Sequence, residues 1–211
     1  MPRRKIRPTT RGNPAESAVQ EASQDAAVAR EVVFVQGGGE GTHDSWDDKL
    51  VASLEAALGS ACTIRYPRMP DEANPDPAVW KRVITSELDT STSRVMLVGH
   101  SVGAAVVLDC VADGKVKPER LAGVFLIATP FLGDGGWPSG DLRPTKEAAE
   151  GLPPHTPLFL YQGDDDETVP VAHLDMLKTV LPHAVIRRLE GRDHQLNDDL
   201  SEVARDIQLV T

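Results

Sequence analysis

The sequence predicts an α/β protein of three layers, a mostly parallel twisted sheet with helices on both faces. Three observations predict it. Short apolar runs alternate with helical patterns along the chain. Leu121 to Ala128 (LAGVFLIA) is apolar at every position, as a strand covered on both faces must be. Finally, Gly99-His100-Ser101-Val102-Gly103 lies between an apolar β-branched run, Arg94 to Val98, and a helical stretch, Ala104 to Ala112.

Composition bounds the rest. The chain has 211 residues, enough for one domain with a sizeable core. Only 4% are aromatic, so that core must be built on Val, Leu, Ile and Ala. The formal charge is −10, unevenly spread. Arg3, Arg4, Lys5, Arg7 and Arg11 crowd the first twelve residues, leaving 17 basic against 32 acidic residues beyond them. Such a body repels phosphate, so nucleic acid is not expected as a partner. No apolar run approaches the roughly 20 residues of a membrane span, and the basic start lacks the apolar stretch of a signal peptide. Cys62 and Cys110 fall in apolar elements and read as buried thiols of a cytoplasmic protein, with neither a disulfide nor a metal site expected.

Residues 1–30 carry no sustained apolar period and are expected to form a disordered basic tail; 31–211 are expected to form the single domain. Glu31 to Gln36 (EVVFVQ) is the first strand, followed by Gly37-Gly38-Gly39-Glu40-Gly41. That run lacks the Gly-Lys-Ser/Thr of a phosphate loop and the last glycine of a dinucleotide fingerprint, which disfavours a nucleotide-binding protein. Trp46, Leu50, Leu54 and Leu58 recur every four residues and predict a helix over His43 to Leu58 with this stripe in the core, stopped by Gly59. Ala61 to Tyr66 reads as a strand. After a proline-rich loop, Asp76-Pro77 supplies the cap and first-turn proline of a helix to about Leu88. Residues 129–157 break into Gly, Pro and acidic residues around a short helix near Thr145 to Glu150. Following a strand, they should overlie the carboxyl edge of the sheet as a small lid. Leu158 to Gln162 and Ala184 to Leu189 read as strands, Pro170 to Leu181 and Asn197 to Val210 as helices.

A Gly-x-Ser-x-Gly between strand and helix is a nucleophile elbow: the turn is too tight for side chains at its flanks, and the serine emerges exposed at a helix start. A serine hydroxyl needs a base to take its proton and an acid to orient that base. The two later strands deliver both. Gly163-Asp164-Asp165-Asp166 follows one, and Glu190-Gly191-Arg192-Asp193-His194 follows the other. The order is Ser101, an aspartate, then His194. The backbone amide of Val102, just after the serine, is the expected first donor to an oxyanion; the glycine run supplies the second. His100 is expected to bond locally, His43 to cap or rim the loop, and His155, His173 and His183 to lie on the surface. Asp193 is expected to serve its loop.

These pieces carry a resemblance. From Val32 to about Leu209 the chain resembles the α/β-hydrolase superfamily, and within it the small serine hydrolases typified by retinoblastoma-binding protein nine. The matching residues are the glycine run with Thr42, His43 and Trp46, the Pro67 to Asp71 segment, the elbow with Ala104, the acid loop before Pro170, and Gly191 to His194. The resemblance implies the three-layer α/β-hydrolase fold without a large cap domain, and a Ser-His-Asp enzyme acting on a small acyl substrate. It also implies Asp166 as the acid, through Gly-x-x-Asp-x-x-Val-Pro, with Asp165 as runner-up. Gly38 is the expected second oxyanion donor, with Gly39 next to it. Gln36 departs from the pattern, standing where many relatives carry His. Acyl transfer of this kind calls for no metal or organic cofactor. The competing expectation is a hydrolase-fold binding module whose catalysis is weak or lost.

Overall fold

The computed structural model describes residues 30–210; the expected tail lies outside them except for Arg30, which opens the first strand. Six strands form one sheet: β1 (Arg30–Val35), β2 (Cys62–Arg65), β3 (Val95–His100), β4 (Leu121–Ile127), β5 (Leu158–Gly163) and β6 (Val185–Leu189). Their spatial order is β2-β1-β3-β4-β5-β6, and every pair is parallel. Six α-helices join them: α1 (Asp47–Leu58), α2 (Pro77–Thr90), α3 (Ser101–Ala112), α4 (Thr145–Gly151), α5 (Ala172–Val180) and α6 (Ser201–Leu209).

Because successive strand residues point to opposite faces, one strand feeds two cores. Val33 and Val35 of β1, with Leu97, Val124, Leu126 and Leu160, meet α2 to α5. Val32 and Phe34, with Met96, Val98, Phe125 and Tyr161, meet α1 and α6. Helices thus cover both faces, which is why the central strands are continuously apolar. The middle helix, α3, is buried along almost its whole length and is correspondingly rich in Ala and Val. At the start of α2, Asp76 accepts hydrogen bonds from the amides of Ala78 (2.8 Å) and Val79 (3.1 Å), and Pro77 takes the first position. Such a cap stabilises by about 1 kcal/mol.

Several expectations are corrected. Trp46 is 54% exposed rather than part of the core stripe. Thr42–Trp46 forms a π-helical turn before α1. Its extra residue per turn rotates Trp46 outward and turns Asp47 into the interior, where it is fully buried. His173 is buried, not on the surface: its Nδ1 accepts the Phe131 amide at 2.8 Å. The last helix starts at Ser201, since Leu196, Asn197 and Asp198 form a left-handed turn (φ 51°, 55° and 56°) that a right-handed helix cannot contain. Cys62 is only half-buried, whereas Cys110 is buried.

The segment after β4 is a small lid held at three points, with no large cap domain among the described residues. Phe131 is tied to His173, Leu132 and Thr145 exchange hydrogen bonds, and Arg143 pairs with Asp109 of α3 and with Asp113 just beyond its end. Among the described residues no helix is long and apolar enough to cross a membrane.

Candidate active site

The strand order reverses between β1 and β3: β1 leads outward to β2, β3 leads the other way to β4. Connections leave such neighbours on opposite sides and open a crevice at their carboxyl ends. Val35 pairs with Gly99, so the glycine loop after β1 and the turn after β3 stand side by side there.

Ser101 opens α3 with φ 52°, a left-handed conformation imposed by the sharp change of direction. Gly103 is required by close approach, since a Cβ there would lie 2.0 Å from the Gln36 carbonyl oxygen. The Ser101 Oγ lies 3.1 Å from Nε2 of His194, and His194 Nδ1 lies 2.8 Å from Asp166 Oδ2. Of the adjacent aspartates, Asp166 is buried against the histidine, while Asp165 is exposed and donates its amide to the Arg192 carbonyl.

Asp166 is held from every side. Its Oδ1 accepts the amides of Thr168 and Val169, both at 2.8 Å, and its Oδ2 accepts Gln162 Nε2 at 2.7 Å besides the histidine. Burial pushes its pKa up, but the His194 hydrogen bond and the two amides outweigh it and leave the carboxyl below its ordinary range. It is an ionised, oriented acceptor.

The histidine loop meets the acid loop closely. A Cβ on Gly163 would sit 2.1 Å from the Arg192 carbonyl oxygen. The loop's own bonds make it rigid: Asp193 Oδ1 accepts the amides of Gln195 and Asn197, Asn197 Oδ1 accepts the Asp193 amide, and Arg192 donates to the Leu196 carbonyl and to Asp199. Asp193 thus serves its loop.

On the other side of Ser101, Gly38 lies against Val102: a Cβ on Gly38 would be 3.5 Å from Val102 Cβ. The Gly39 amide donates to the Glu72 carbonyl at 2.6 Å and so is already committed, which favours Gly38 over Gly39 as the loop's oxyanion donor. Glu72, in the loop after β2, organises this corner. Its carboxylate accepts the amides of Gly41 (2.7 Å) and His43 (3.0 Å) and the Gln36 side-chain amide. Burial acts to raise its pKa, but those donors lower it overall. Gln36 accepts the Met69 amide with its other end. The residue that departs from the family pattern therefore fastens the loop after β2 to the glycine loop. His43 stacks on Tyr66 with ring centroids 4.1 Å apart and bonds Asp44, a rim position. His155 and His183 are exposed.

Against the expectation of a local bond, the partners of His100 are remote in sequence: Nδ1 lies 3.0 Å from Asp47 Oδ2, and Nε2 lies 3.1 Å from the His194 carbonyl oxygen. Asp47, Glu72 and Gln162 escaped sequence reasoning. Each is a polar residue in an ordinary helix, loop or strand pattern, and only the folded neighbours give it a site to hold.

No curated protein sequence matches this chain. In solved structures the fold recurs. The ydeN gene product from B. subtilis is 16% identical, with TM-score 0.64 over 86% of this chain and 98% of its own. The esterase domain from a Rhodothermus marinus protein is 20% identical, with TM-score 0.60 over 88% and 87%. Mouse alpha/beta hydrolase domain-containing protein 10 is 20% identical, with TM-score 0.58 over 84% and 88%. At these identities the likeness is one of fold, the α/β-hydrolase fold. The profile of the serine hydrolase family matches residues 32–178, a span that includes the elbow and the acid loop, and the chain belongs to that family.

Proposed function

We propose that this serine hydrolase cleaves carboxylic esters or closely related acyl bonds through an acyl-enzyme on Ser101. The observation that carries the reading is the continuous chain Ser101 Oγ, His194, Asp166, at 3.1 and 2.8 Å. Such spacing lets His194 Nε2 take the serine proton as Oγ attacks the acyl carbon. Negative charge then gathers on the carbonyl oxygen, where the amides of Val102 and Gly38 would hold it. The carbon–oxygen bond to the leaving group breaks as His194 returns the proton to the departing alcohol. Water next attacks the acyl-enzyme, giving a proton to His194, and the acid leaves as Ser101 recovers that proton. Asp166 stays ionised throughout and steadies the imidazolium. An ester is also the bond named for the Rhodothermus esterase domain whose fold this chain shares.

Covalent labelling with a fluorophosphonate probe tests the proposal. Wild type should label and hydrolyse p-nitrophenyl acetate. Ser101→Ala should do neither, with hydrolysis reduced by about three or more orders of magnitude. A folded wild type that does not label would overturn the enzyme reading in favour of a binding module, and labelling that persists in Ser101→Ala would assign the wrong nucleophile.

A further inference from the structure

Two buried ionisable residues take no part in the steps above. His100 closes β3, one residue before the nucleophile, and Asp47 opens α1. The exposure of the His100 side chain is 1% and that of Asp47 0%. Both nitrogens of the His100 ring face acceptors. A main-chain carbonyl oxygen can only accept, so Nε2, 3.1 Å from the His194 carbonyl, must carry hydrogen. Asp47 Oδ2 already accepts the Gly37 amide at 2.7 Å; although burial opposes its charge, His100 and that donor lower the Asp47 pKa and favour its ionised form. An ionised carboxylate has no hydrogen to return, so Nδ1 carries one too. A ring with hydrogen on both nitrogens is a cation. Beside an ionised Asp47 the two charges cancel, which is the condition for keeping either in the core.

We propose that His100 and Asp47 form a buried imidazolium–carboxylate pair that positions the serine, the histidine base and the oxyanion loop relative to one another. This rests on the reading of Ser101 and His194 given above. Three separate segments meet in the pair: Gly37 from the loop after β1, His100 beside Ser101, and the backbone of His194 after β6. Beside an ionised Asp47, a neutral imidazole has a single N–H and would have to release either Asp47 or the His194 carbonyl. Release on the second side frees the main chain of the base itself. Neither residue contacts the Ser101 hydroxyl in this arrangement; they are positioning residues.

The groups facing His100 favour the pair. Burial disfavours the cation, but the charge and hydrogen bond of Asp47 outweigh it, and the His194 carbonyl and the charge of Asp166 add to them, so the His100 pKa is raised. Burial likewise opposes charge on Asp47, and His100 and the Gly37 amide overcome it and lower its pKa. The His194 ring lies next to His100, with centroids 4.8 Å apart.

Nitrogen-15 NMR of histidine-labelled wild type, with His100→Gln for assignment, reads the pair directly. At about pH 8, where a free imidazole is neutral, both ring nitrogens of His100 should be protonated. One bare nitrogen there would overturn the proposal. Kinetics test its role through Asp47→Asn, His100→Gln and the double variant, with p-nitrophenyl acetate turnover normalised to fluorophosphonate-reactive sites. Each single change should lower kcat about 10- to 100-fold with KM nearly constant, because a shift of about 1 Å at reacting groups costs that much. The double variant should be no worse than the poorer single one, since the two act as a unit. Unchanged turnover per reactive site, with only a lowered melting temperature, would overturn the positioning role. Absence of Ser101-dependent labelling in wild type would instead overturn the reading of the site, and the NMR result would still decide the pair.

Discussion

At the scale of single residues, the site depends on positions where ordinary side chains or dihedrals are excluded. Ser101 holds a left-handed conformation that costs a non-glycine residue about 1–2 kcal/mol, and the surrounding turn must keep it there. Gly103 makes this possible by letting α3 begin directly against the end of β1. Gly103→Ala brings a methyl group to 2.0 Å from the Gln36 carbonyl oxygen, and backbone cannot yield as a flexible side chain would. The expected result is a lower melting temperature and fluorophosphonate labelling slowed by at least about 10-fold, because the start of α3 must tilt away from the glycine loop. A labelling rate equal to wild type would mean that the elbow tolerates the shift. The elbow was legible at this scale, as were Ser101 and His194, because chain order and local glycine chemistry mark them. Asp47 was not. It stands beside Trp46 in the sequence, and the residue facing inward depends on a π-helical turn that the four-residue apolar spacing does not announce.

Among the elements, α6 is fixed to the sheet by a buried carboxylate. Asp206 accepts the Tyr161 hydroxyl of β5 (2.9 Å) and the Arg187 guanidinium of β6 (3.0 and 2.8 Å). Burial opposes its charge, yet Arg187 and Tyr161 lower its pKa overall. A lowered pKa in the folded state means stabilisation present above the unfolded value, near 3.8, and lost as pH falls through the folded one. Asp206→Ala should therefore destabilise the protein at neutral pH by about 2–4 kcal/mol, by leaving a buried hydroxyl and a guanidinium without their acceptor. Urea unfolding at neutral pH and again below the unfolded value would check it: the gap between variant and wild type should narrow on acidification. A gap that stays constant with pH would mean that packing alone is lost. A second ionic knot joins α2, α3 and the lid, where Lys81 and Arg143 both pair with Asp109 and Asp113. Asp109 is buried inside a helix whose other residues are all uncharged and mostly apolar, so its two cations explain how α3 carries a charge at all. Arg143→Ala is expected to loosen the lid while leaving the sheet intact, read as faster proteolysis within 129–157 with little change in the urea midpoint.

For the whole molecule, the two relevant properties are topology and charge. Because all strands run parallel, the loops after β1, β3, β5 and β6 meet at one end of the sheet, and the reversal of strand order between β1 and β3 opens a crevice there. The residues beyond the first twelve carry 17 basic against 32 acidic side chains, so the domain as a whole repels anions. An ester with a free carboxylate should then have a lower kcat/KM than a neutral ester of equal size. Added salt should raise the anionic value several-fold and leave the neutral one nearly constant, since screening acts within about 10 Å at 0.1 M ionic strength. Equal salt responses would show that the field at the site is not governed by the overall charge.

The sequence by itself determined the layers, the strand and helix order, and the elbow serine and later histidine that the proposal uses as nucleophile and base. Periodicity, capping and turn chemistry are local, and the spacing of a nucleophile elbow is written in five consecutive residues. It also narrowed the acid to adjacent aspartates. Only the tertiary structure brings one of them, Asp166, against His194, because Asp164, Asp165 and Asp166 differ in where the loop turns rather than in chemistry. The same holds for Glu72, Gln162, His173 and the Asp47–His100 pair. Except for Gln162, which bonds the loop just after its own strand, their partners lie far along the chain, and a polar side chain gains a position to hold only when folding excludes water and brings that partner within hydrogen-bond reach.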